Sequence, residues 1–158
     1  MKNTFKRSGA ALISLVLLLV LAVSAGAASS QNVGVKFWKE RSDKESMANS
    51  GIDPDRTATL TRQANGTYTL TLPVMQVSKL GVTGYLSGLT IGDVIYDGTL
   101  TGDFNKATAV LTIKNLPASV LTGSDVNKSV LVTCNIQMDL QVLGEINTSA
   151  RMCIWNQK

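Results

Sequence analysis

The sequence predicts an all-β sandwich, and three observations carry the prediction. Near the C-terminal end, Val130, Val132, Cys134, Ile136, Met138, Leu140 and Val142 alternate with Thr133, Asn135, Gln137, Asp139 and Gln141, the period of a half-buried strand. The pattern breaks at Leu143-Gly144-Glu145-Ile146-Asn147 and resumes as Ala150-Arg151-Met152-Cys153-Ile154-Trp155, which reads as a second strand returning antiparallel to the first. Asn65-Gly66, set between two further alternating runs, is the strongest short hairpin signal in the chain, because both residues tolerate the positive φ of a two-residue turn.

Taken in order, Lys2, Lys6 and Arg7 precede an apolar run over residues 10–23 that ends in Ala25-Gly26-Ala27-Ala28. A basic start, an apolar centre and small residues at the end predict a secretory signal peptide, cut after Ala27. An uncleaved anchor is the alternative, since the charge-free stretch over 8–28 approaches the ~20 residues that a span needs. Residues 28–158 then form a single domain large enough for a real core.

Val33, Val35 and Phe37 alternate as a first strand, and the polar stretch after it predicts a short helical turn holding Glu45, Ser46, Met47 and Ala48. Residues 51–55 are turn chemistry around Pro54. Ala58 and Leu60, then Tyr68, Leu70, Leu72 and Val74, point inward from the two strands that Asn65-Gly66 joins. Two Gly-punctuated strands follow over 79–86 and 89–96, with turns expected at Asp97-Gly98 and Gly102-Asp103. Ala109, Leu111 and Ile113 mark one more strand before the closing hairpin. The sum is about seven to nine strands at the spacing of an immunoglobulin-like β-sandwich, with a short helical turn after the first.

Charge and composition exclude several classes of function. Fifteen basic residues face eleven acidic ones, but three of the basic ones leave with residues 1–27. The remaining Lys and Arg are scattered rather than clustered into the basic face that a nucleic acid needs. The absence of histidine removes Ser-His-Asp and Cys-His nucleophilic sites and the usual zinc sets. The carboxylates sit mostly in turns and lack the spacing of a calcium loop, and no catalytic constellation is present. Export permits a disulfide between Cys134 and Cys153. Their spacing suits cross-strand partners, whereas parity sets Cys134 on the apolar face and Cys153 with Arg151 and Trp155; a bulge or register shift would reconcile the two.

The order of these features, namely the turn Glu45-Ser46-Met47-Ala48-Asn49, the hairpin around Asn65-Gly66-Thr67-Tyr68 and the closing Ala150-Arg151-Met152-x-Ile154, resembles the NEAT (near-transporter) domains of Gram-positive bacterial surfaces. The resemblance spans residues 33–155. It implies a secreted or cell-surface domain, membrane-bound only through an uncleaved signal segment, that binds haem or a related porphyrin for iron acquisition without catalysis. It also implies a relay to another surface protein.

In haem-binding members the pocket lies between the helical turn and the last hairpin, and a tyrosine in a Y-x-x-x-Y motif ligates the iron. Placing Arg151 at the motif's basic position sets Thr148 and Met152 where the tyrosines would stand. The resemblance then offers Met47 and Met152 as thioether ligands to haem iron. Ser46 would bond a propionate, and Trp155 or Trp38 would stack on the porphyrin. The simpler reading makes both methionines soft fillers of a core. The alternative function is a protein- or cell-wall-binding module of the same fold without haem. An open apolar slot beside Ser46 and Met47 is what separates the two.

Overall fold

The computed structural model describes residues 28–79, 81–139 and 144–158. The expected signal peptide and the tip of the closing hairpin, residues 140–143, lie outside them.

Among the described residues nine strands follow one another: β1 (Ser29–Lys39), β2 (Ala58–Arg62), β3 (Tyr68–Pro73), β4 (Val77–Lys79), β5 (Val82–Ile91), β6 (Val94–Thr101), β7 (Val110–Leu116), β8 (Val130–Met138) and β9 (Glu145–Asn156). They form one sheet in the order β4-β5-β6-β7-β3-β2-β1-β9-β8, with β8 pairing back onto β5. Eight strands therefore close into an antiparallel barrel, and β4 is a short flap on the margin of β5.

This corrects the expectation of two packed sheets. Alternation along a strand reports one buried face, and a barrel and a sandwich bury that face alike. Only the long-range pairing of β8 with β5, Leu86 opposite Ile136 and Leu89 opposite Cys134, distinguishes them. Closure pairs each of the eight described strands of the ring with two neighbours, although β1 pairs with β2 only as far as Val33.

The inward residues follow the alternation. Leu60 stands opposite Leu70 and Leu72 opposite Leu111, and these side chains, with Phe37, Leu89, Ile113, Leu116, Met152 and Ile154, are fully buried. The predicted turn at Asp97-Gly98 is instead the middle of β6. The chain turns earlier, at Gly92 and Asp93. Gly98 serves close packing: a Cβ there would lie 2.3 Å from Leu111 Cδ1 and 2.6 Å from the Ser87 carbonyl oxygen, so β5 and β7 approach through the space that glycine leaves.

The two cysteines are buried and free. Register sets Cys134 opposite Thr148 and Cys153 opposite Lys36, so no shift brings the thiols face to face. Cys134 lies in the core, where burial pushes its thiol up to about 12. Cys153 points outward beneath residues 125–128, with Sγ 3.5 Å from the Asp125 carbonyl oxygen.

One ion pair ties the loop before β2 to the barrel. Arg56 Nε donates to Asp53 Oδ2 at 2.8 Å, and its Nη2 donates to the Ala109 carbonyl. The Arg56 hydrogen bond, helped by the Asp55 N–H, holds the Asp53 carboxyl below its ordinary value of 3.8. A depressed folded-state pKa contributes stability that is complete above the unfolded value and is lost as pH falls through the folded one. Asp53→Asn is therefore expected to cost on the order of 1 kcal/mol at neutral pH. Its melting temperature should converge on that of the parent as pH drops below about 4, which thermal unfolding at stepped pH checks.

Candidate functional site

One end of the barrel is filled and the other is hollow. Along the inner face of β9 the side chains run Ile154, Met152, Ala150, Thr148 and Ile146. The first three are fully buried, whereas Thr148 and Ile146 are exposed. Small residues at that end, with Gly84 on the facing part of β5, leave a cavity of about 240 Å³.

Its walls come from three places. Ile136 and Met138 on β8 join Ile146 and Thr148 on β9. Val77, Val82, Gly84, Tyr85 and Leu86 come from the β4–β5 flap, and Met47, Ala48 and Gly51 from a 3-10 turn. Only Thr148 and Tyr85 bring polar side chains, and the Tyr85 ring packs on Phe104 with centroids 5.2 Å apart. Among the described residues no Lys, Arg, Asp or Glu lines the cavity. Nor do any three Cys, Asp or Glu gather into a metal-holding cluster.

The 3-10 turn Met47–Gly51 replaces the helical turn expected two residues earlier, because Glu45 is taken up in a bridge with Trp38. Ser46 caps the turn, its Oγ accepting from the Ala48 N–H at 3.3 Å. Asn49 fastens the turn to β1. Its Oδ1 accepts from the Phe37 N–H at 2.8 Å, and its Nδ2 donates to the Phe37 carbonyl at 2.7 Å. Met47, 57% exposed, is thereby held at the cavity mouth beside Ile146, 42% exposed.

The structure separates the residues that the sequence grouped. Met47 lines the cavity. Ser46 is buried as the cap of the turn and is not part of the lining. Met152 is buried in the barrel core, opposite Phe37 and Val130. It shares a strand face with Thr148, but four residues at roughly 3.4 Å each set it about 14 Å further along. Trp155 lies in a second crevice, with its indole against Gly34. Trp38 pairs with Arg151 across β1 and β9, with Lys36 Nζ 4.5 Å from its ring centroid. Arg151 closes the loop after β1 through the Lys39 and Ser42 carbonyls and the Asp43 carboxylate, the last at 2.7 Å.

Two features of the lining were missed in the sequence. In the sequence Met138 is one more apolar position of a strand. Gly84 was read as punctuation, yet a Cβ there would meet Met138 Sδ at 2.7 Å. The methionine sulfur thus lies on the glycine backbone in the cavity wall. Parity placed Met138 on the inner face, but the pairing that sets Gly84 opposite it is long-range and leaves no local signal.

The sequence matches no protein-family model. It matches no curated protein. Among solved structures, the fold is similar to that of the NEAT5 domain of IsdX2, a B. anthracis hemophore, in complex with haem. The TM-score is 0.53 at 11% identity, over 83% of this chain and 98% of that one. A mutant of the same IsdX2 domain with haem gives the same values. At this identity the likeness is one of fold: an all-β, NEAT-like domain.

Proposed function

We propose that the chain is a secreted or surface-associated NEAT-like domain that binds haem or a related porphyrin, without catalysis, for iron acquisition. The observation that carries this reading is the apolar cavity between the Met47 turn and the closing hairpin, in a fold whose solved neighbours hold haem.

The lining suits the group. Apolar walls keep water from the iron, and methionine sulfur is an established axial ligand type. Met47 at the mouth is the proposed ligand. The cavity, about 240 Å³, is smaller than the roughly 300–1,000 Å³ of ordinary small-molecule sites. The bound disc would therefore be enclosed along one side. With no cation among the described residues of the lining, its propionates would project from the mouth into water, where desolvation costs them nothing. The exposed rim would be free for transfer to another surface protein.

Titrating the purified protein with haemin tests the reading. A saturable one-to-one change in the Soret region is expected, and Met47→Ala should weaken binding about tenfold or more and alter the low-spin bands. Absence of a saturable change would favour the protein- or wall-binding alternative.

A further inference from the structure

We infer that the chain has a second binding site, a break in the barrel wall between β1 and β2 that takes an extended segment of another protein carrying a basic side chain. The crevice there, about 210 Å³, shares no lining residue with the cavity beside the Met47 turn, so the inference stands apart from the haem reading.

The break follows from the register. β1 pairs with β2 only as far as Val33, opposite Ala58. The residues before Ala58 leave β1 for the end of β3, where Ile52 bridges Val74 and the Asp53 N–H donates to the Pro73 carbonyl at 3.1 Å. Backbone groups alternate sides along a strand. The Asn32 carbonyl accepts from the Gln157 N–H, so even-numbered residues of β1 face β9, and Phe37, bonded to Asn49, faces the other way. Val35 therefore aims its N–H and carbonyl into the break. Ile154, opposite it on β9, is committed elsewhere: its N–H donates to Thr122 Oγ1, and its carbonyl accepts from the Thr122 and Gly123 N–H groups. Among the described residues nothing bonds the Val35 pair.

A donor and an acceptor on one residue are what an added antiparallel strand bonds. The floor of the break is apolar, with Leu72 and Ala58 buried, so the residue opposite Val35 is apolar too. Its neighbours point outward to the rim. There Asp55 is exposed and has no ion-pair partner among the described residues, whereas Asp53 beside it is matched by Arg56. The rim thus keeps one negative charge for a Lys or Arg. Half-buried Trp155, its indole against Gly34, gives the stem of that side chain an aromatic wall.

Titrating isotope-labelled protein with acetyl-Thr-Lys-Val-Lys-Thr-amide, read by NMR at the Val35 amide and the Trp155 indole N–H, tests the site. Both signals are expected to shift saturably, the amide downfield as it gains an acceptor. The same peptide with N-methylvaline at its centre cannot donate to the Val35 carbonyl and should bind about three- to tenfold more weakly. With Glu in place of both Lys the affinity should fall about threefold or more. Asp55→Lys, a change at an exposed position, should reverse that order.

No saturable shift at Val35 with either peptide would overturn the site, whatever haemin does. Unweakened binding of the N-methyl peptide would overturn the strand pairing, and equal affinity for the Lys and Glu peptides would overturn the basic partner. Shifts confined to Ile146 and Thr148 would place the peptide in the apolar cavity instead. A Val35 amide that shifts with protein concentration alone would make a second copy of this chain the occupant, against the inference.

Discussion

Met152→Ala is expected to destabilise the protein by about 2–5 kcal/mol, the range for truncating a long side chain in a close-packed core. Met152 is 0% exposed, with the equally buried Phe37 opposite it on β1 and the half-buried Val130 opposite it on β8. Removing its thioether would leave a void between strands that hydrogen bonds hold in register, so the walls can close only in part. Met152→Leu, which nearly conserves volume, should cost less than about 1.5 kcal/mol. On the haem reading it should also leave the spectrum and affinity for haemin as they were. Denaturant midpoints together with a haemin titration separate the two roles. A Met152→Leu protein with altered low-spin bands would return Met152 to the iron, and a small cost for Met152→Ala would mean that the core there is looser than its burial indicates.

The same residue shows how far the sequence can be read. Parity set Met152 on the face opposite Arg151, Cys153 and Trp155, and the alternation in residues 58–74 and 109–113 named side chains that are buried in the barrel, with Tyr68 half-buried among them. Depth along the barrel is a different coordinate. It depends on where β8 and β5 meet, and that register joins residues about fifty positions apart in the chain. Periodicity within a strand carries no information about it.

The glycines were ambiguous for a related reason. Gly92 makes a turn with φ of 60°, whereas Gly98 and Gly84 sit in extended strands because a neighbouring strand's atoms occupy the place of a Cβ. Local chemistry cannot tell these uses apart. Met47 was legible because its position depends on a short connection, the capped turn after β1, whose signals are local.

The side chain that fastens that turn to β1 is Asn49, and Asn49→Ala is expected to loosen it at a cost of about 2–4 kcal/mol. β1 pairs with β2 only through Val33, while its pairing with β9 continues to Lys39. Beyond Val33, one side of β1 therefore has no strand beside it, and the Phe37 N–H and carbonyl on that side need other partners. The Asn49 amide supplies both, as a neighbouring strand would, and its Nδ2 also donates to the Ser46 carbonyl at 3.1 Å. The Phe37 carbonyl keeps a second donor, the Ser46 N–H at 3.0 Å. The Phe37 N–H is given no such substitute by the turn. An unsatisfied amide of this kind costs about 1–3 kcal/mol, and the lost hydrogen bonds add to it.

Because Met47, Ala48 and Gly51 belong to the same turn and to the cavity wall, the substitution should also weaken ligand binding without touching a lining residue. Hydrogen exchange at the Phe37 amide gives the local reading: faster exchange in Asn49→Ala, and retained protection in Asn49→Asp, which keeps the acceptor but not the donor. If the amide stays protected in Asn49→Ala and the denaturant midpoint barely moves, the turn is held by its other contacts. Met47 would then owe its place at the mouth to the Ser46 cap and to the packing of Ala48 on the core.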